Sequence, residues 1–182
     1  MNNSAPVKAM SFNDRFNVMV SGDARGGLEY WSCKTFKAPK KVVKFRLKVR
    51  FVSSYGVAAS LSAHVLCCQS ESDLFALNKA KTSVSSISFS PNGMSFVVTS
   101  TDFQIRVFNY VTGKLRRVYD ESTGVYEDAH EAKTLGIDDL DYGRRMAVER
   151  DLRNSTSVPP SNAIFDQTSN FLLCVLLARG LW

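Results

Sequence analysis

The sequence is poor in the residues that build metal centres and disulfides. It has two histidines and four cysteines, and two of the cysteines, Cys67 and Cys68, are adjacent. Adjacent cysteines do not readily bridge each other, and the Cys-x-x-Cys spacing of a zinc site is absent. His64 lies near Cys67, but this spacing alone is a poor indication of a metal clip. The sequence therefore predicts free thiols, no metal site and no cofactor.

An apolar signal segment and a convincing membrane span are also missing. The opening MNNSAPVKAM lacks the apolar core of a secretory signal. The most apolar long stretch, residues 49–68, contains Arg50, His64 and several serines, which makes it too polar for a membrane span. These features predict a reducing compartment and no membrane partner.

Enzyme signatures are absent as well. The sequence contains no G-x-S-x-G, no H-E-x-x-H and no phosphate-cradling G-x-x-x-x-G-K. The glycine-rich residues 22–27 are better explained as a turn between strands. The acid pairs Asp120-Glu121 and Asp138-Asp139 are better explained as solvated surface than as a general acid–base pair. We therefore predict no catalytic residue and no small-molecule substrate.

Charge and composition are those of an ordinary globular protein. The 182 residues are 45% hydrophobic and 22% charged, and 23 basic against 17 acidic side chains leave a net charge of +6. A basic excess of this size attracts polyanions such as RNA only mildly, and it fits a solubility charge equally well.

What the sequence does contain is an internal repeat. Residues 7–32 align without a gap with residues 84–109, an offset of 84 minus 7, or 77. Alternating apolar residues and turn residues divide each copy into three short strands, which in the second copy are Val84–Phe89, Ser95–Ser100 and Gln104–Asn109. A third copy begins at Asn162 and covers two strands.

The order of strands and turns resembles the WD repeat. In that repeat a turn aspartate precedes the closing aromatic residue by six positions, as Asp102 precedes Phe108. In the first copy Trp31 takes the aromatic position, but Arg25 replaces the aspartate. The resemblance implies structural roles for Trp31, Asp102 and Phe108. It predicts a mainly β fold, a partial WD40-type β-propeller of about two and a half blades.

The repeats recur at about twice the usual WD interval of ~40–45 residues, so long connections are expected, with one or two inserted helices. Fourth strands are predicted at residues 41–48 and 114–120, and a helix at residues 138–154; an extra strand pair in the connections stays open. The predicted division is a first unit (6–48), an atypical insertion (49–70), a second unit (71–120), a helical connection (121–161) and an incomplete third unit (162–182).

Three phrases carry a more specific resemblance, and they occupy residues 6–31, 105–122 and 141–152. They are PVKAMSFNDRFNVMVSGDARGGLEYW, IRVFNYVTGKLRRVYDES and DYGRRMAVERDL. They are similar to cyclophilin-type peptidyl-prolyl isomerases with an amino-terminal WD-repeat domain. The resemblance implies a nuclear protein that docks the proteins of a spliceosomal or chromatin complex.

Two segments depart from that family. Residues 49–70 have no counterpart there and read either as translated intron or as a genuine loop, and the ending LLCVLLARGLW also leaves the pattern. No motif of the isomerase barrel is present. We therefore expect a truncated, non-catalytic scaffold fragment with exposed sheet faces, marginally stable or aggregating unless another chain completes it. An isomerase by family inheritance and an RNA-binding module are the alternatives.

Candidate partner contacts are basic side chains in two places. One group, Lys114, Arg116 and Arg117, lies on a predicted outer strand, where charge also protects a sheet edge. The other, Arg144 and Arg145, lies on the predicted helix, where a solvated face is the competing explanation.

Overall fold

The computed structural model describes residues 5–39, 47–50, 67–70, 72–154 and 162–175. The strands in these ranges are β1 Val7–Asn13, β2 Val18–Asp23, β3 Leu28–Ser32, β4 Leu47–Arg50, β5 Cys67–Ser70, β6 Val84–Phe89, β7 Ser95–Ser100, β8 Gln104–Asn109, β9 Leu115–Asp120, β10 Asn162–Phe165 and β11 Leu172–Val175. The helices are α1 Ala76–Lys79, α2 Thr123–Glu131 and α3 Asp139–Asn154. None of the helices in the described ranges is both long and apolar enough to cross a membrane.

All strand pairs are antiparallel. Strands β1–β3 form a three-stranded sheet, β6–β9 form a four-stranded sheet, and β4–β5 and β10–β11 are two-stranded. The repeat is visible in the register, because Phe12 pairs with Met19 and Phe89 pairs with Phe96 at the same position of each copy. The structure thus confirms the predicted strands of both copies.

The four-stranded sheet is the centre of the structure. One of its faces packs against the β1–β3 sheet in an apolar cluster that includes Val20, Tyr30 and Phe96. Its other face packs Val97 against Ala163 of β10. Every residue of β7 is buried, as its continuous apolar and β-branched sequence predicts. Each fully buried Val or Phe side chain contributes roughly 1.5–3 kcal/mol, so β7 anchors the layers on both sides.

The turns of successive sheets also touch. Asn13 Nδ2 donates to the Gly93 carbonyl over 2.9 Å, and Arg15 Nη1 donates to the Asn92 carbonyl over 2.9 Å. The Asn92 N–H in turn donates to Ser169 Oγ over 3.2 Å. These bonds hold the β1–β2, β6–β7 and β10–β11 turns in one row, so the three sheets follow one another in the same orientation.

The prediction of a partial WD40-type propeller is wrong. The described strands form separate antiparallel sheets that do not close into a propeller, and the fold class that stands is mainly β with antiparallel sheets. Alternation and turn residues specify each hairpin. Closure depends instead on how many sheets there are and on the angle at which they pack, which a pattern within one sheet does not contain.

The connections agree with the sequence only in part. Strand β9 and helix α3 are where a fourth strand and a helix are predicted. Of the predicted strand at residues 41–48, only residues 47 and 48 are described, and they begin β4, which pairs with β5. Residues 41–46 lie outside the described residues. Strands β4 and β5 lie at the two ends of the predicted insertion, residues 49–70. The division into units remains a prediction.

Candidate functional site

The most connected polar cluster lies at the turn between β7 and β8. The Asp102 carboxylate accepts hydrogen bonds from Ser100 Oγ and, over 3.1 Å, from the Gln104 N–H. Arg106 Nη2 donates to Asp102 Oδ2 over 2.7 Å and to Gln104 Oε1 over 2.6 Å. The Gln104 amide then donates to Asp120 Oδ2 over 3.1 Å. The cluster links the turn to strands β8 and β9.

Arg106 is the residue of this cluster that the sequence analysis missed. Its side chain is 5% exposed and forms an i,i+4 ion pair with Asp102. Burial alone would raise the pKa of Asp102, but hydrogen bonds from Arg106, Ser100 and the Gln104 N–H hold that pKa below its usual value. The sequence offers only the spacing, an arginine four residues after a turn aspartate, and spacing alone does not show that the arginine is buried. Because both Arg106 Nη atoms already donate to neighbours, the cluster suits a structural role.

Trp31 and Phe108 lie elsewhere. Trp31 is half-buried on β3, and its Nε1 donates to Ser21 Oγ over 2.7 Å. Phe108 is fully buried and stacks on Phe96 at 5.2 Å between ring centroids. Asp102 does not combine with these aromatics into one binding site, and the structural roles assigned to all three remain predictions.

The basic residues at the start of β9, Lys114 just before it and Arg116 and Arg117 on it, lie at an exposed sheet edge. Lys114 Nζ lies 3.9 Å from Asp73 Oδ1, and Arg117 Nη1 donates to the Tyr119 hydroxyl over 3.4 Å. Arg116 falls at a register shift between β8 and β9, where its Nη1 donates to Ser95 Oγ over 3.4 Å. Proteins protect edge strands with bulges and charged side chains, and both are present here. A partner contact at this edge therefore stays a prediction.

The helical pair holds the other two candidates. Arg144 is exposed on α3 and lies 3.7 Å from Asp141, and Arg145 on the same helix is half-buried. Nearby, the His130 ring of α2 stacks on Tyr142 of α3 at 3.8 Å. Among the residues that the structure describes, His, Cys, Asp and Glu do not gather into a metal-binding group; His64 lies outside them.

Comparison with known proteins gives the class of protein to which the chain is related. Peptidyl-prolyl cis-trans isomerase CYP71 of Arabidopsis thaliana is 41% identical over 170 residues, which are 92% of this chain and 24% of that protein. Peptidyl-prolyl cis-trans isomerase cyp15 of Rhizopus delemar is 36% identical over 93% of the chain and 24% of its own length. The chain is therefore homologous to proteins named as peptidyl-prolyl isomerases over nearly all its length.

A human relative carries a fuller name. Peptidylprolyl isomerase domain and WD repeat-containing protein 1 of Homo sapiens is 31% identical over 93% of the chain and 23% of its own length. The chain thus spans about a quarter of the length of the curated relatives it matches. No family model matches the chain.

These relatives contradict the expectation of a non-catalytic scaffold fragment. The relatives that cover 92–93% of the chain are named as isomerases, so the predictions of no enzyme and of a fragment without isomerase function are wrong. The error followed from equating the repeat with a WD-repeat platform. A strand pattern specifies hairpins, and it does not reveal which chemistry those hairpins support.

Proposed function

We propose that this chain is a segment of a peptidyl-prolyl cis–trans isomerase and takes part in that reaction. The observation that supports the proposal is the 41% identity over 92% of the chain to a protein named for this activity. The reaction needs no cofactor, because isomerisation only rotates an X–Pro amide through a barrier of ~18–20 kcal/mol. A surface that binds the twisted amide more tightly than the planar one lowers that barrier.

Such a surface needs side chains that a peptide can reach. Arg106 is buried and bonded to Asp102, Ser100 and Gln104, so its guanidinium is not presented to a peptide. The side chains of Arg116 and Arg117 are exposed, so a peptide reaches their cations more easily than that of Arg106. The predicted nuclear location and splicing or chromatin partners remain part of the proposal, on the resemblance alone.

The direct experiment measures isomerisation of an X–Pro peptide with the purified chain by NMR exchange spectroscopy. Uncatalysed interconversion takes tens to hundreds of seconds, so acceleration in proportion to chain concentration is readily detected. The same chain unfolded in urea is the matched control. The full-length human or Arabidopsis relative, which is about four times as long, is the positive reference.

Two results separate the possibilities. Acceleration by the folded chain, with peptide-induced shifts of its backbone amides, supports the proposal and locates the site. The opposite result is a folded chain that leaves the exchange rate unchanged while the full-length relative accelerates it. The activity then belongs to the other three quarters of the relatives, and the proposal is overturned.

A further inference from the structure

Two apolar sheet faces are exposed at opposite ends of the row of sheets. The first, here named the β1 face, consists of Val7, Met10 and Phe12, which are 44%, 62% and 43% exposed. The second, the β10–β11 face, consists of Ile164 and Leu173, which pair with each other and are 48% and 59% exposed. Contiguous exposed apolar residues of this kind mark interaction surfaces.

The internal repeat shows what covers a β1 face. The residues at the same positions of the second copy are Val84, Ile87 and Phe89 of β6. There they pack against the β1–β3 sheet, and Val84 and Ile87 are 2% and 9% exposed. In the second copy, therefore, a face of this composition is buried by a neighbouring antiparallel sheet.

The repeat also shows what covers a β10–β11 face. Val97 of β7 pairs with Ser88, one position along from the Phe89–Phe96 pair. Leu173 is in the matching place, since it pairs with Ile164 one position along from Phe165–Leu172. Val97 is 1% exposed because Ala163 and its neighbours on β10–β11 pack on it.

We propose that the chain associates head to tail with a second copy of itself, the β1 face of one copy packing on the β10–β11 face of the next. The same two kinds of face already meet twice within the chain, where β6 packs on the β1–β3 sheet and β10 packs on the β6–β9 sheet. A third contact of this kind needs a further sheet of the same type, and a second copy supplies it.

The row of turns also supports head-to-tail association. Arg15 bonds to Asn92, and Asn92 bonds to Ser169, each 77 residues further along the chain. A second copy that continues the row places its Arg15 turn beside the Ser169 turn of the first. Because the two faces differ, the contact is heterologous, and it either propagates or closes into a ring.

The test uses the full chain in sedimentation velocity over a range of concentrations. The wild type is expected to form species larger than a dimer as its concentration rises. Met10→Glu places a charge in the β1 face and Leu173→Glu places one in the β10–β11 face, so each should weaken association at least about tenfold. Leu140→Glu is the matched control, because Leu140 is 63% exposed on α3, outside both faces.

Mixing the variants identifies the geometry. Each variant keeps the face that the other lacks, so an equal mixture of Met10→Glu and Leu173→Glu should form dimers and stop there. Circular dichroism checks that the sheets are intact. Met10→Thr, which removes apolar surface from the β1 face but introduces a β-branched residue that strands favour, is the second variant of this face and should also weaken association.

Three outcomes would overturn the proposal. A wild type that stays monomeric at every concentration shows that these faces are covered by something other than a second copy. An effect of Met10→Glu without one of Leu173→Glu indicates a symmetric contact. Equal disruption by Leu140→Glu indicates unspecific aggregation. The proposal is independent of isomerase activity, since none of these measurements depends on turnover.

Discussion

Replacing Asp102 by asparagine is expected to destabilise the protein through the arginine that it leaves behind. Arg106 is 5% exposed, Asp102 is 23% exposed, and their charged atoms are 2.7 Å apart. Removal of one partner from a buried ion pair costs about 3–5 kcal/mol because the other charge stays uncompensated. Because the Asp102 side chain is 23% exposed to water, we expect a cost at the lower end of this range, about 3 kcal/mol. Asparagine keeps the oxygen that accepts from the Gln104 N–H.

Urea unfolding of a double-mutant cycle measures this cost. The cycle consists of Asp102→Asn, Arg106→Met and both together. The double variant is expected to lose less free energy of unfolding than the two single losses added, with a coupling of roughly 0.5–3 kcal/mol. The dependence of the unfolding free energy on urea should be the same in all four proteins, since the exposed area hardly changes.

The pH dependence gives a second measurement on the same variants. The folded-state pKa of Asp102 is lowered, so its contribution is present above the unfolded pKa of roughly 3.9. That contribution is lost as the pH falls through the lower, folded-state pKa. The difference between wild type and Asp102→Asn should therefore shrink in acid. A difference below about 0.5 kcal/mol at pH 7, the value of an exposed pair, would refute the reasoning.

Two further predictions concern the core and a turn. Phe108→Ala, at a fully buried ring, should cost about 3–5 kcal/mol in urea unfolding, whereas Phe171→Ala, at a ring 70% exposed, should change stability by no more than about 0.5 kcal/mol; equal losses would contradict the assignment of the core. Gly93→Ala should cost more than Gly136→Ala, although both glycines have positive φ, of 68° and 61°. Only at Gly93 does an added Cβ fall 2.8 Å from Asn13 Oδ1, while nothing lies within 4 Å at Gly136. The excess should be about 1 kcal/mol or more, and equal melting temperatures would contradict it.

The hairpins of this fold are predictable from the sequence because their causes are local. Val84–Phe89 alternates apolar and polar residues, and Ser90-Pro91-Asn92-Gly93 supplies a residue with positive φ, Gly93, where the chain must reverse. The continuous apolar character of Ser95–Ser100 likewise predicts burial on both faces. How the sheets are arranged beyond these hairpins is a property of packing angles, which is why the propeller prediction failed.

The polar cluster was only half predictable. Asp102 is recognisable in the sequence as a turn residue, because aspartate accepts hydrogen bonds from the backbone two residues ahead. Arg106 is not, because an arginine between Ile105 and Val107 fits the alternation of a strand and would be expected on its exposed face until its partner is known. Its burial is intelligible only from the distance to Asp102, which depends on the turn bringing β7 and β8 together.

The same polar residues bear on where chemistry can occur. Three buried polar side chains bond within or between the sheets: Asn13 to the Gly93 carbonyl, Asp23 to the Gly27 N–H, and Arg106 to Asp102. Each satisfies a neighbour that would otherwise be buried without a partner, so each is committed to the fold. Under the proposed function, these three side chains are therefore not available to a peptide. The repeat that explains the stability of the sheets therefore gives no indication of the site, and identity to isomerases over a quarter of their length was needed to suggest the reaction.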